Sequence, residues 1–174
     1  MYWLHTARLG FRDWSSKDED LAMALWGHPE VTRRITAKGA FTHAEVLNKW
    51  KLEQKLLKEH GVQYWPLFLL KSGEFVGCCG LRPYGEEEGV FELGCHILPQ
   101  HWRKGYAFEA ISSVISHAFG ELQARRLFAG HHPENLASKR LLERLGFAYT
   151  HHELYPPTGL EHPSYQLLPT VSKC

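Results

Sequence analysis

Residues able to do chemistry concentrate in the stretch HWRKGYAFEA, residues 101–110. Arg103 and Lys104 run directly into Gly105, and a helical pattern begins at once. The first N–H groups of a helix have no intrahelical partner, and the helix dipole adds positive potential there. A glycine lets the backbone come close to a ligand. With two cations alongside, such a turn suits a phosphate or pyrophosphate. A plain helix cap flanked by solvated cations is the other reading of this stretch taken alone. Neither G-x-x-x-x-G-K-[ST] nor G-x-G-x-x-G occurs, which argues against ATP or NAD chemistry.

The remaining reactive side chains are less organised. The 12 histidines include the pairs His131–His132 and His151–His152. Adjacent strand residues point to opposite faces, so neither pair chelates one ion easily. No Cys/His set with metal-ligand spacing lies near them, and no metal is expected. Cys78, Cys79, Cys95 and Cys174 contain no C-x-x-C spacing and read as reduced thiols of a cytoplasmic protein. The formal net charge of +1 gives no global field for nucleic acid or an anionic membrane. Residues 1–20 carry scattered charges and no signal peptide, and no apolar run is long enough to span a bilayer.

Stepping along the 174 residues, no repeat or low-complexity linker appears, so residues 1–174 are expected to form one domain. HTARLGFRDW alternates as a first strand. Ser16 and Glu19 have the spacing of a capping box for a helix whose apolar side is Leu21, Leu25 and Trp26, ended by Pro29. Thr42 and Glu45 form a second such box, with Phe41 and Val46 as a hydrophobic staple and Gly61 as the stop. In that second helix Val46, Trp50 and Leu57 share a face. YWPLFLLK, EFVGCCGLR and GVFELGCHIL then read as an antiparallel meander. From Ala107 to Phe119 the apolar period becomes helical, with Gly120 closing the run. RRLFAGHH is a strand, and ENLASKRLLERLGF is a helix with Asn135 as N-cap and Gly146 after its end. FAYTHHEL and HPSYQLLP are two final strands. The mixed order implies an α+β (α/β) sheet domain.

WRKGYAFEA followed by NLASKRLLERLGF resembles the acyl-CoA-binding half of the GNAT N-acetyltransferases. TARLGFRDW and LWGHPEVTRRI extend the resemblance toward the branch of ribosomal-protein alanine and serine N-terminal acetyltransferases. In the pattern Q/R-x-x-G-x-G/A, Trp102 takes the first place, Gly105 the central glycine and Ala107 the last. The resemblance implies a GNAT fold: a mixed, mostly antiparallel twisted sheet of about seven strands flanked by about four helices. It implies acetyl-CoA as cosubstrate. The backbone N–H groups of Arg103, Lys104, Gly105, Tyr106 and Ala107 would hold its pyrophosphate. The strand edge at Ile97 and Leu98 would pair with the pantetheine amides, and Asn135 and Ser138 would lie beside the pantetheine and thioester.

The implied reaction is attack of a neutral amine on a thioester. An α-amino group, with pKa ~8, deprotonates more easily than a lysine-type amine at ~10.4. The site needs a base, and an acid for the departing thiolate. Glu92, on the strand leading into the turn, is the candidate base, an exposed strand glutamate being the alternative. Ser138 is the candidate acid by family resemblance, with Tyr155 as a second choice. His96 is expected near the thioester. Arg33, Arg34 and Lys38, on the segment expected to wall the acceptor site, suggest an anionic feature on the acceptor, solvated cations being the equal alternative. The amine is expected on a protein N-terminus or a small molecule. A non-catalytic CoA or acyl-CoA sensor would keep the turn and Asn135 but lack a competent base.

Overall fold

The structure, a computed structural model, describes residues 1–170; the expectation of a free thiol at Cys174 lies outside the described residues. The chain builds one mixed sheet of eight strands in the order β1-β2-β3-β4-β5-β6-β8-β7. The strands are β1 (Leu4–His5), β2 (Leu9–Phe11), β3 (Tyr64–Leu69), β4 (Phe75–Pro83), β5 (Val90–Ile97), β6 (Arg126–Gly130), β7 (Ala148–Tyr155) and β8 (Leu160–Leu167). Among the described residues only the β5–β6 contact is parallel. Five helices accompany them: α1 (Glu19–Trp26), α2 (Pro29–Thr32), α3 (His43–His60), α4 (Tyr106–Gly120) and α5 (Leu136–Arg144).

Strand alternation divides the core by face. Cys79 and Leu81 on β4, with Leu93 and Ile97 on β5, pack with Ala110, Ile111, Val114 and Ala118 of α4 and Leu142 of α5. The opposite face is an aromatic cluster of Trp14, Trp26, Trp50 and Tyr64 with Leu25, Val46 and Cys78, built by α1 and α3. Four of the six tryptophans are buried, whereas Trp3 and Trp102 are exposed.

Local signals are realised where nothing distant competes. Thr42 caps α3 reciprocally with Glu45, and Gly61 ends it in the left-handed region at φ 71°. Asn135 caps α5. The first expected box does not form. The N-cap of α1 is Asp18, whose carboxylate is drawn to Arg12 at 2.6 Å and to the Ser15 N–H at 2.7 Å. Pro29 does not end α1; it opens α2 at a position where its missing N–H has no consequence.

The expected first strand is instead a hairpin. Thr6 N–H donates to the Leu9 carbonyl at 2.8 Å, folding β1 back on β2. Glu109 of α4 fixes that turn: its carboxylate accepts from the Thr6 hydroxyl, the Arg8 N–H at 2.9 Å and Arg8 Nε at 2.6 Å. Because several of these bonds converge on one half-buried carboxylate, Glu109→Ala is expected to cost on the order of 2 kcal/mol. Urea unfolding checks this, and an unchanged midpoint would contradict it.

Candidate functional site

The site begins where the sheet opens. β5 and β6 pair only through Val90–Arg126, Phe91–Leu127 and Glu92–Phe128. Beyond Glu92, β5 continues along β4 while β6 continues along β8. In an antiparallel pair, alternate residues aim their backbone groups at the partner strand. Leu98 N–H donates to the Val76 carbonyl at 2.9 Å, so in this register His96 and Gly94 also face β4. Cys95 and Ile97 therefore turn their N–H and C=O groups into the gap. The expectation that Ile97 and Leu98 together form the open edge changes accordingly. Both backbone groups of Leu98 are engaged, its carbonyl accepting from His101 N–H at 2.9 Å.

The basic turn lies at the end of β5. A short 3-10 turn, Pro99–His101, leads to Trp102, whose Nε1 donates to the Ile97 carbonyl at 2.6 Å. Arg103 has φ 59° and Gly105, the N-cap of α4, has φ 80°. Gly105 takes this left-handed conformation without a Cβ penalty. Backbone in which left-handed residues alternate with right-handed ones can turn successive N–H groups to one side, the geometry that suits an anion. Arg8 steadies the turn from the edge hairpin, donating from Nη1 to the Lys104 carbonyl at 3.0 Å while its guanidinium lies 4.6 Å from the Tyr106 ring centre. Arg103, Lys104 and Gly105 are exposed; Tyr106 and Ala107 are half-buried.

Asn135 and Ser138 approach from the other side. Asn135 Oδ1 accepts from Ser138 N–H at 3.2 Å, closing the first turn of α5. α4 follows β5 and α5 follows β6. Because these two strands are parallel, both helix N-termini lie at the same end of the gap, where open α/β sheets receive ligands.

Glu92 stands where the gap closes. Leu93 and Ile97 face α4, so Glu92, Gly94 and His96 face α1 and α3. Gly94 is required there, because a Cβ would overlap the Tyr64 phenol. Arg82 lies 4.2 Å from the centre of the same ring and pairs with Glu53, a carboxylate with no exposure at all. Glu53 also accepts Tyr64 N–H at 2.8 Å. Burial raises the Glu92 pKa, with Arg82 and Lys49 opposing the rise. The Tyr155 phenol is raised by burial and by the Glu92 charge, which brings it into Glu92's electrostatic neighbourhood.

His96 has a different occupation. Trp26 Nε1 donates to its Nδ1 at 3.0 Å, which leaves the ring proton on Nε2. Burial, then Lys49 and Arg82, hold it well below the ordinary histidine pKa, so it is neutral. Cys78 and Cys79 are buried thiols pushed upward by desolvation, as expected of packing cysteines rather than nucleophiles. Above this face, Ala37 N–H donates to the Pro157 carbonyl at 2.8 Å, joining the loop before α3 to the β7–β8 turn. Arg33 and Lys38 of that wall are paired with Glu30 at 3.4 Å and Glu45 at 2.9 Å.

Lys49, Glu53, Arg82, Tyr64, Arg8 and Glu109 were not legible as site residues in the sequence. The one available signal was the 3–4-residue spacing of Val46, Lys49, Trp50 and Glu53 on α3, which puts Lys49 and Glu53 beside the apolar stripe.

The sequence matches the acetyltransferase (GNAT) domain family over residues 8–148. It is 29% identical over 144 residues to the N-acetyltransferase p20 of Bacillus licheniformis, covering 83% of this chain and 81% of that one. Its fold is similar to a GNAT-family acetyltransferase from Bacillus anthracis, with TM-score 0.79, 25% identity, and 97% and 98% of the two chains covered. It is also similar to the ribosomal L7/L12 alpha-N-protein acetyltransferase RimL in complex with coenzyme A, with TM-score 0.80, 11% identity, and 97% and 98% covered.

Burial, and next Arg82, lower the Lys49 pKa from 10.5 to about 8. Between these values the unfolded chain binds more protons than the folded one, so this lysine's contribution to stability rises with pH. Its unfavourable effect is complete below pH 8 and relieved above 10.5. The stability difference between Lys49→Met and wild type should therefore change across that window in urea titrations, moving in favour of wild type. A difference independent of pH would contradict the burial of this ammonium.

Proposed function

The chain belongs to the GNAT acetyltransferase family, and we propose that it transfers the acetyl group of acetyl-CoA to a primary amine by direct attack. The carrying observation is the opening of the sheet beyond Glu92, flanked at one end by the Arg103–Ala107 turn and the N-terminus of α5. Extended, amide-rich pantetheine adds to the gap as a strand would, through the backbone groups of Cys95 and Ile97. The pyrophosphate rests on the N–H groups from Arg103 to Ala107. This places the thioester toward the closed end of the gap, near Glu92. Residues 1–174 act as one catalytic domain in this reading, with the acceptor amine entering from the α1/α3 face.

The chain's own groups then have distinct tasks. Glu92 accepts the amine proton, directly or through one water, as the nitrogen bonds to the acetyl carbon. The raised carboxyl pKa suits this, since a general base works best with a pKa near the operating pH. As the C–S bond breaks, the thiolate takes a proton from Ser138, or from Tyr155 as the second candidate. Gly94 and Tyr64 set the wall against which Glu92 sits. We place the reaction in the cytoplasm, where reduced thiols such as Cys78 and Cys79 persist.

Glu92→Gln keeps the side-chain volume and removes the base. It should lower kcat by about 10²- to 10⁴-fold while acetyl-CoA affinity, measured by calorimetry, is retained. Undiminished turnover would remove Glu92 from the mechanism. Tight acetyl-CoA binding by the wild-type protein, with no thiol release from any amine, would make it an acyl-CoA sensor instead.

A further inference from the structure

The charges around Glu92 carry information about the acceptor. Two cations act on its carboxyl, Arg82 and Lys49. Arg82 is engaged by the buried Glu53. Lys49 forms no ion pair within 4 Å among the described residues, and the carboxylates that act on it are Glu53, already paired with Arg82, and Glu92. Its ammonium lies 5.2 Å from the Trp26 ring centre and 6.0 Å from that of Phe41, at the junction of α1, α3 and the loop before α3. Aromatic faces attract an ammonium but accept none of its N–H bonds in the way a carboxylate does. Thus a half-buried lysine, acted on by the Glu53 and Glu92 charges but paired with neither within 4 Å, stands on the face that also presents Glu92.

Arg33 and Lys38, which sequence alone suggested for this role, are neutralised by their own acids. Arg34 is half-buried on the same loop, and the cations that act most on Glu92 and His96 are Lys49 and Arg82. Lys49 acts on both. An acceptor bearing only amines would bring further positive charge beside Lys49 and Arg82. An acceptor bearing a carboxylate near its amine would satisfy Lys49 while delivering its nitrogen to Glu92.

We propose that the acceptor is a small zwitterion, a free amino acid or similar amino carboxylate, whose carboxylate is bound by Lys49 while its amine meets Glu92. This rests on the acetyl-transfer reading and narrows its acceptor class. Lys49 is then a specificity residue, and a peptide N-terminus, which carries an amide in place of the nearby carboxylate, is a poorer acceptor. The chemistry is unchanged: one N–C bond forms, one C–S bond breaks, and the amine proton passes to Glu92.

The test pairs each free amino acid with its own α-carboxamide, adds spermidine as a carboxylate-free amine, and follows CoA thiol release. Wild type should favour at least one free acid over its amide by about 10- to 100-fold in kcat/KM, the range of a charge-assisted hydrogen bond. Lys49→Met should bring that ratio toward unity, and Lys49→Arg should retain most of it. Acetyl-CoA titration of each variant verifies that it is folded. Equal or better use of the amides or of spermidine by wild type would overturn the zwitterion while leaving acetyl transfer standing. A preference that persists in folded Lys49→Met would also overturn it. Silence with every amine would remove the acetyl-transfer reading and this proposal together.

Discussion

Everything at this site depends on one break in backbone pairing. Parallel β5 and β6 separate after Glu92–Phe128, although both strands continue. Buried backbone N–H and C=O groups are almost always hydrogen-bonded, so an interrupted ladder inside a sheet implies another partner. Here Trp102 Nε1 donates to the Ile97 carbonyl, and the remaining groups of Cys95 and Ile97 are those to which the proposed function assigns the pantetheine amides. The same break sets the N-termini of α4 and α5 on either side of the opening.

The two faces of β5 divide the work. Leu93 and Ile97 anchor the strand to α4 through an ordinary apolar core. Glu92, Gly94 and His96 face an aromatic cluster into which charged groups have been built. A charge taken out of water is tolerated only when paired and hydrogen-bonded. Glu53 meets that condition through Arg82 and the Tyr64 N–H. Lys49 and Glu92 act on one another within the same cluster, with Arg82 as a second cation beside Glu92. The neighbouring histidine is kept neutral by its bond from Trp26 and by burial, so it adds no competing charge.

Sequence patterns predicted the features governed by local physics. The Thr42–Glu45 box, the Asn135 cap, the left-handed glycine after α3 and the three-strand meander depend on residues a few positions apart. The basic turn was legible for the same reason, since Gly105 and the helix behind it are contiguous. The failures have distant causes. Asp18 displaced the Ser16 box because Arg12 and the Ser15 N–H attract its carboxylate. The first strand became a hairpin because Glu109, far along the chain, bonds Thr6 and Arg8. Lys49 and Glu53 were not legible in the sequence because Arg82, which pairs with Glu53, is far along the chain. Strand and helix counts slightly exceed the expectation, partly for the same reason: the hairpin adds one strand and Pro29 opens a short helix.

The central claim is that backbone groups, more than the exposed cations, hold the cosubstrate. Residue-resolved amide hydrogen exchange with and without acetyl-CoA reads those groups directly. The account predicts selective slowing at Cys95, Ile97 and the N–H groups from Arg103 to Ala107, with Gly94 and His96, already bonded to β4, changing little. Binding of acetyl-CoA with no added protection at Cys95, Ile97 or the turn would contradict it.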